Sequence, residues 1–193
     1  MNTLIIDIET KGDKKLLETY LKNLSAPKNY KDEEKIKEWI DNKKLEAEKE
    51  LALDQDYNEI ACIGIKLNDE PAKIISLNEL SEFIQNNTLI TFNGKSFDLP
   101  VIIKNGIKQK IILPYKLLKE ATKKYNAPQH IDLMELISFG GQWKSLDSYL
   151  QVYLGIEKTP IDFQTCTKEE LEAHCIEDCE NTYKLFLKFK DLC

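Results

Sequence analysis

Thr3-Leu4-Ile5-Ile6-Asp7-Ile8-Glu9-Thr10 is an apolar run that turns acidic at its end. Leu4, Ile5, Ile6 and Ile8 make it nearly continuous, which suits a central strand covered on both faces, so a strand is predicted over Thr3 to Ile8. Successive strand side chains alternate, so Asp7 and Glu9, two apart, point to the same face. Two carboxylates there repel each other, and burying them adds a desolvation cost. A divalent cation relieves both problems, and hard oxygen ligands select Mg²⁺ or Mn²⁺ over zinc. A strand end that merely reaches solvent explains the pair on its own equally well.

Downstream of this strand the pattern changes. Residues 11–56 hold 11 Lys and 12 Asp or Glu. Two helices are predicted there: one over Lys14 to Leu24, and one beginning after Asp32 as N-cap, with Ile36, Trp39, Ile40, Leu45 and Leu51 at helical spacing. The loop from Ser25 to Lys31, punctuated by Pro27, separates them. This stretch reads as a helical insertion after the first strand, either a lid over substrate or a passive cover for the sheet. Strands follow at Glu59 to Leu67, Ala72 to Ser76, Thr88 to Phe92 and His130 to Met134. Helices are predicted over Asn78 to Gln85, from Asp98 (with Pro100 in its first turn), and over Ser145 to Leu154. Thr167-Lys-Glu-Glu170 is a capping box that opens a long helix to about Lys190. The alternation gives an α/β fold with a mixed sheet, and the 193 residues suit a single domain, 1–193, with the insertion at about 11–56.

Composition narrows the function classes. Hydrophobic residues make up 42%, enough for a core. No apolar run approaches the ~20 residues of a membrane span, and the first strand is expected to follow no secretory leader, since no basic n-region or cleavage site is seen. The expectation is a cytoplasmic protein of a bacterial or phage-infected cell, with no membrane partner. The net charge of −6 argues against bulk coating of nucleic acid, while leaving room for a local grip on one strand end. All 27 basic residues are lysines, so any phosphate contact uses point charges rather than guanidinium forks. The five cysteines form no CxxC pair, which fits a reduced compartment.

Two further acids matter. Asp98 ends Phe92-Asn93-Gly94-Lys95-Ser96-Phe97-Asp98, where an ordinary N-cap is the default reading. On the last helix, Asp178 follows His174 by four residues, which sets both on one face in line with Leu171 and Thr182. That stripe is otherwise apolar and inward, and an inward His–Asp pair is harder to dismiss than a lone core histidine.

Asp7-Ile-Glu9-Thr10, Phe92-Asn93-Gly94-Lys95-Ser96-Phe97-Asp98-Leu99-Pro100 and His174-x-x-x-Asp178 together resemble the three motifs of DEDD-superfamily 3′–5′ exonucleases. The chain is similar to stand-alone, phage-type members that resemble the proofreading domain of family-B DNA polymerases, and the resemblance runs from residue 3 to about 187. It implies an RNase H-like fold: a five-stranded mixed sheet flanked by helices. It also implies that Asp7, Glu9, Asp98 and Asp178 hold two Mg²⁺ or Mn²⁺ ions, with His174 as general base. Thr10, Asn93 and Phe97 would contact the 3′-terminal nucleotide, although Phe97 reads equally as core. Asp132 reads as a structural or supporting acid rather than a ligand, and His130 as a supporting or surface residue. The lysines of residues 104–124 either guide phosphates or form a solvated face.

One departure stands out. Histidine-type members of the family place His five residues before the last Asp, and tyrosine-type members place Tyr four before it; here His174 occupies the tyrosine spacing. Tyr183 lies on the wrong side of Asp178 to replace it. The implied activity is metal-dependent release of nucleoside monophosphates from a single-stranded 3′ end, with DNA favoured. The implied partners are single-stranded nucleic acid with a free 3′ end and a DNA polymerase or a replication or repair complex. Alternative readings are an inactive nucleic-acid- or polymerase-binding module, an exoribonuclease and an RNase H-like endonuclease.

Overall fold

The computed structural model describes residues 2–124, 127, 129–163 and 165–192. The chain divides into two compact units, Met1–Glu9 with Cys62–Cys193, and Thr10–Ala61. The first unit is built on a five-stranded sheet of order β3-β2-β1-β4-β5, formed by β1 (Thr3–Gly12), β2 (Asn58–Leu67), β3 (Lys73–Ile75), β4 (Thr88–Thr91) and β5 (His130–Asp132). β1 pairs parallel with β4, Ile5 opposite Ile90, and β4 pairs parallel with β5, Thr91 opposite Asp132. β2 and β3 are antiparallel. The sheet is therefore mixed, as the sequence implies. Three parallel strands bring the C-terminal ends of β1, β4 and β5 to one edge, where open α/β sheets gather their ligands.

The boundary between the units falls inside β1 and β2. Residues 10–61 carry α1 (Leu17–Asn23), α2 (Glu33–Leu45) and α3 (Ala47–Leu53). Asp32 caps α2 as expected, accepting from the N–H groups of Glu34 and Lys35 at 2.9 and 3.3 Å. The single helix predicted past Leu51 instead breaks at Glu46. Leu45 is 86% exposed while Ala47 and Leu51 are buried, so the apolar stripe loses phase there and α3 restarts it. Within this unit Glu50 accepts from Tyr20 and pairs with Lys43.

Around the sheet lie α4 (Leu80–Ile84), α5 (Asp98–Gln109), α6 (Tyr115–Ala121), α7 (Leu133–Ser138), α8 (Leu146–Leu154) and α9 (Lys168–Phe189). The expected strand to Met134 stops at Asp132, because the Asp132 carboxylate accepts from the Met134 N–H and starts α7. The Thr167/Glu170 capping box is formed. α9 buries His174, Cys175, Asp178, Cys179, Thr182, Leu185 and Phe186, one continuous helical stripe. Ile5 and Ile90 pack against this stripe together with Leu133, Tyr149 and Leu150.

Gly64 of β2 is where α9 comes closest to the sheet. A Cβ there would sit 2.8 Å from both Cys175 Sγ and Cys179 Sγ and 3.1 Å from the Cys175 carbonyl oxygen. Gly64→Ala is expected to cost about 1–3 kcal/mol through overpacking. Thermal denaturation should show a fall of several degrees; an unchanged melting temperature would mean that the helix yields freely.

Candidate active site

Period-two alternation puts Ile5, Asp7 and Glu9 on one face of β1, and Ile5 belongs to the core cluster under α9. The same face therefore turns from hydrocarbon to carboxylate within a few residues, still beneath α9. The Cys175 thiol contacts the Asp7 carbonyl oxygen at 3.6 Å. One turn of α9 presents His174 and Asp178 to this patch. His174 Nε2 lies 3.9 Å from Glu9 Oε1 and 3.7 Å from Asp178 Oδ2. Ligand atoms of Glu9, His174 and Asp178 all lie within 4.8 Å of one another, the one such group of candidate metal ligands among the described residues.

Asp98 joins from β4. It is the first residue of α5, and the N-cap position falls to Phe97, so the carboxylate is not spent as an ordinary cap. It is buried and accepts backbone N–H hydrogen bonds from Ile8 and from its own residue. The loop that delivers it is tightly held. Asn93 adopts a left-handed φ of 64°, which asparagine tolerates better than most residues. A Cβ at Gly94 would lie 2.3 Å from Thr91 Oγ1, so only glycine fits. The Asp132 carboxylate accepts from the N–H groups of Asn93 and Lys95, both at 2.9 Å. His130, buried between Thr91 Oγ1 at 2.9 Å and the Ala121 carbonyl at 2.7 Å, braces the same strand end. Asp132 and His130 thus support the site from behind, as their sequence positions suggest.

The cluster is electrostatically tense. Burial raises the Asp7 carboxyl well above its ordinary range, and Asp98, Asp178 and Glu9 push it further. Asp7 Oδ2 is buried with no hydrogen-bond partner among the described residues. Burial likewise lifts Glu9 to about 8 and Asp98 to about 7, with Asp178 adding to both. Asp178 is raised too, by burial, with Lys158 opposing. His174 moves the other way: burial holds its imidazole below the ordinary 6.5 despite the Asp178 charge. The neutral ring is therefore the resting form at neutral pH.

Lys158 is the residue that the sequence did not reveal. Its ammonium donates to Asp178 Oδ2 at 2.8 Å, faces Oδ1 at 2.7 Å without hydrogen-bond alignment, and lies 3.5 Å from Asp147 Oδ1. Burial would lower its pKa, but the Asp178 hydrogen bond and the two carboxylate charges hold it above the ordinary value. It comes from the loop between α8 and α9, and no spacing rule ties it to Asp178. Phe163, on the same loop, meets His174 edge to face at 5.5 Å.

Phe97 is half-buried beside Asp98. The Thr10 hydroxyl donates to the Ala52 carbonyl at 2.7 Å, inside the second unit. The Tyr183 phenol donates to Asp69, so it is engaged away from the cluster. At 1.5 Å per residue, Lys108 lies about 15 Å along α5 from Asp98.

The donor set fits a divalent cation: several carboxylates, one of them with an orphaned oxygen, converge where they repel each other. The raised carboxyls also give a stability signature. Glu9 and Asp98 keep their protons to higher pH in the fold than in the unfolded chain. From about pH 4.5 to about 8 the folded state therefore binds more protons, and stability falls as pH rises. Melting temperature in EDTA should drop across that window, and millimolar Mn²⁺ should restore it near the upper end but not near the lower. A melting temperature indifferent to Mn²⁺ at the upper end would exclude the metal site.

No curated protein matches the sequence. The fold resembles that of the family B DNA polymerase from the hyperthermophilic archaeon Pyrobaculum calidifontis, with a TM-score of 0.60 at 12% identity. The match covers 98% of this chain and 24% of the polymerase, so the chain spans about a quarter of that protein. No described helix is long and apolar enough to cross a membrane. Residues 49–193, which include Asp98, His174 and Asp178, match the family described as predicted 3′–5′ exonucleases related to the exonuclease domain of PolB, and the chain belongs to that family.

Proposed function

We propose that this protein is a metal-dependent 3′–5′ exonuclease that releases nucleoside monophosphates from a single-stranded 3′ end, DNA in preference to RNA. The observation that carries the reading is the convergence of Asp7, Glu9, Asp98 and Asp178 beside a buried neutral His174, with Asp7 Oδ2 lacking a hydrogen-bond partner among the described residues. Membership of a family related to a DNA polymerase's exonuclease domain supports both the reaction and the preference for DNA.

The four carboxylates would hold two Mg²⁺ or Mn²⁺ ions. When bound, such ions supply Lewis-acid stabilisation of the attacking and leaving oxygens of an in-line displacement. The chain's own residues do the rest. His174 Nε2, between Glu9 and Asp178, carries a lone pair able to take the proton of the attacking water. Its depressed pKa keeps that nitrogen unprotonated at neutral pH. Lys158 clamps the Asp178 carboxylate and sets one fixed positive charge beside the place where a phosphate must enter. A pentacovalent phosphorus carries extra negative charge, so a fixed ammonium favours it more than the ground state.

The direct test is digestion of 5′-labelled single-stranded DNA and RNA of one sequence in Mn²⁺, with EDTA and a circular single strand as controls. A ladder shortening from the 3′ end, sensitive to EDTA and absent on the circle, is the expected result. Loss of the circle would make the protein an endonuclease, and an intact label with wild-type protein would make it a binding module.

His174→Ala should lower kcat by about 10²–10⁴-fold while leaving Mn²⁺ stabilisation largely in place. The wild-type rate should decline in acid with a midpoint below the ordinary 6.5, because the imidazole must be unprotonated to act. His174→Tyr should recover part of the lost rate if position rather than the imidazole orients the water. A near-wild-type His174→Ala would remove His174 as the base.

A further inference from the structure

We propose that Phe163 is a base-stacking surface for the nucleotide bound at the carboxylate cluster, one that admits an unpaired base of any identity. This rests on the exonuclease reading and adds the element of substrate recognition that the acidic residues lack. Carboxylates and the ions they would hold engage only the phosphodiester. Nothing among them distinguishes a frayed strand end from a paired one.

Phe163 has the required character. Its side chain is 60% exposed, yet its ring lies 5.5 Å from the His174 imidazole at an interplanar angle of 83°. A single exposed aromatic is ordinary on a protein surface. An exposed aromatic held against the candidate base is not explained by core packing. The loop that carries it is tied down on both sides. Lys158 anchors it to Asp178, and the Thr159 N–H donates to Glu177 Oε1 at 3.5 Å. Beyond Phe163, the Asp162 carbonyl accepts from the N–H groups of Thr165 and Cys166 at 3.2 and 2.9 Å. The Asp162 carboxylate also accepts from the Thr165 hydroxyl at 2.9 Å. Phe163 therefore sits in a closed turn that offers its ring outward rather than letting it collapse onto the core. A base stacked on that ring has its own phosphate within one nucleotide's reach of His174 Nε2. Every base has a π-face, so the contact is indifferent to sequence, but a base within a duplex has both faces already covered.

Kinetics on matched substrates test this. Wild type, Phe163→Ala, Phe163→Leu and Phe163→Trp are compared on a single-stranded DNA with ordinary 3′ nucleotides. The same set is run on strands with an abasic residue at either of the two 3′ positions. Truncating a stacking aromatic costs about 5- to 150-fold in affinity. Phe163→Ala and Phe163→Leu should lose that much kcat/KM on the ordinary strand and little on one of the abasic strands, whereas Phe163→Trp should keep the wild-type pattern. Leucine retains apolar contact with His174 but no π-face, which separates stacking from support of the imidazole. Equal loss on all strands, or loss on none, overturns the proposal.

A binding measurement without turnover completes the test. In EDTA, 2-aminopurine at either of the two 3′ positions should be quenched by wild type and not by Phe163→Ala. If wild type quenches the probe but hydrolyses nothing, the exonuclease reading fails and the stacking surface stands. If it hydrolyses DNA and Phe163→Ala quenches equally well, only the stacking proposal fails. No quenching by wild type at either position overturns it as well.

Discussion

Mutual repulsion among buried carboxylates is the constraint around which the first unit is arranged. Asp7, Glu9, Asp98 and Asp178 each gain from being protonated or neutralised, because burial removes the water that would otherwise screen them. The fold meets part of this cost with Lys158, which lies against both oxygens of Asp178. One ammonium cannot balance four carboxylates, and Asp7 Oδ2 has no hydrogen-bond partner among the described residues. A site so built is a standing attraction for cations, which fits a chemistry that requires them.

Bringing like charges together demands rigid supports, and these are visible behind the site. Parallel pairing of β1, β4 and β5 aligns three strand ends, so acids distant in sequence arrive at one edge. Asp132 binds the backbone of the Asn93–Lys95 turn and also starts α7, linking two strand ends through one carboxylate. Gly94 allows the turn to close over Thr91. Across the sheet, the lack of a side chain at Gly64 lets α9 settle close enough for His174 to face Glu9. The Asp132 brace is itself a carboxylate, held by three backbone N–H groups, and its charge adds to the strain on Asp98.

Net charge frames the substrate problem. The chain carries −6 overall and draws all its positive charge from lysine, while the proposed substrate is a polyanion. Attraction must then be local. In the proposed reaction, Lys158 and any cations bound by the carboxylates would provide it at the reacting phosphate. An exposed ring such as Phe163 adds grip without charge, and aromatic stacking is less weakened by salt than ion pairing is.

Much of the site was legible in the sequence because its physical rules are local. Asp7 and Glu9 share a face by strand alternation, His174 and Asp178 by helical spacing, and the Asn93-Gly94 turn announces itself by composition. The Thr167/Glu170 cap and the mixed sheet follow from the same short-range patterns. Other features depend on contacts between distant residues, which no local pattern encodes. The helix predicted through Leu51 broke at Glu46 because burial, not propensity, set the phase of its apolar stripe. Asp132 became the brace of a turn some 40 residues away in sequence. Lys158 lies 20 residues from Asp178 in a loop without periodicity, and Phe163 in the same loop looks like any isolated aromatic. The sequence alone determined which residue types could do the chemistry and which faces they shared. Only tertiary structure decided which cation answers them and which ring stands beside His174, because charge pairing and ring contacts act through space rather than along the chain.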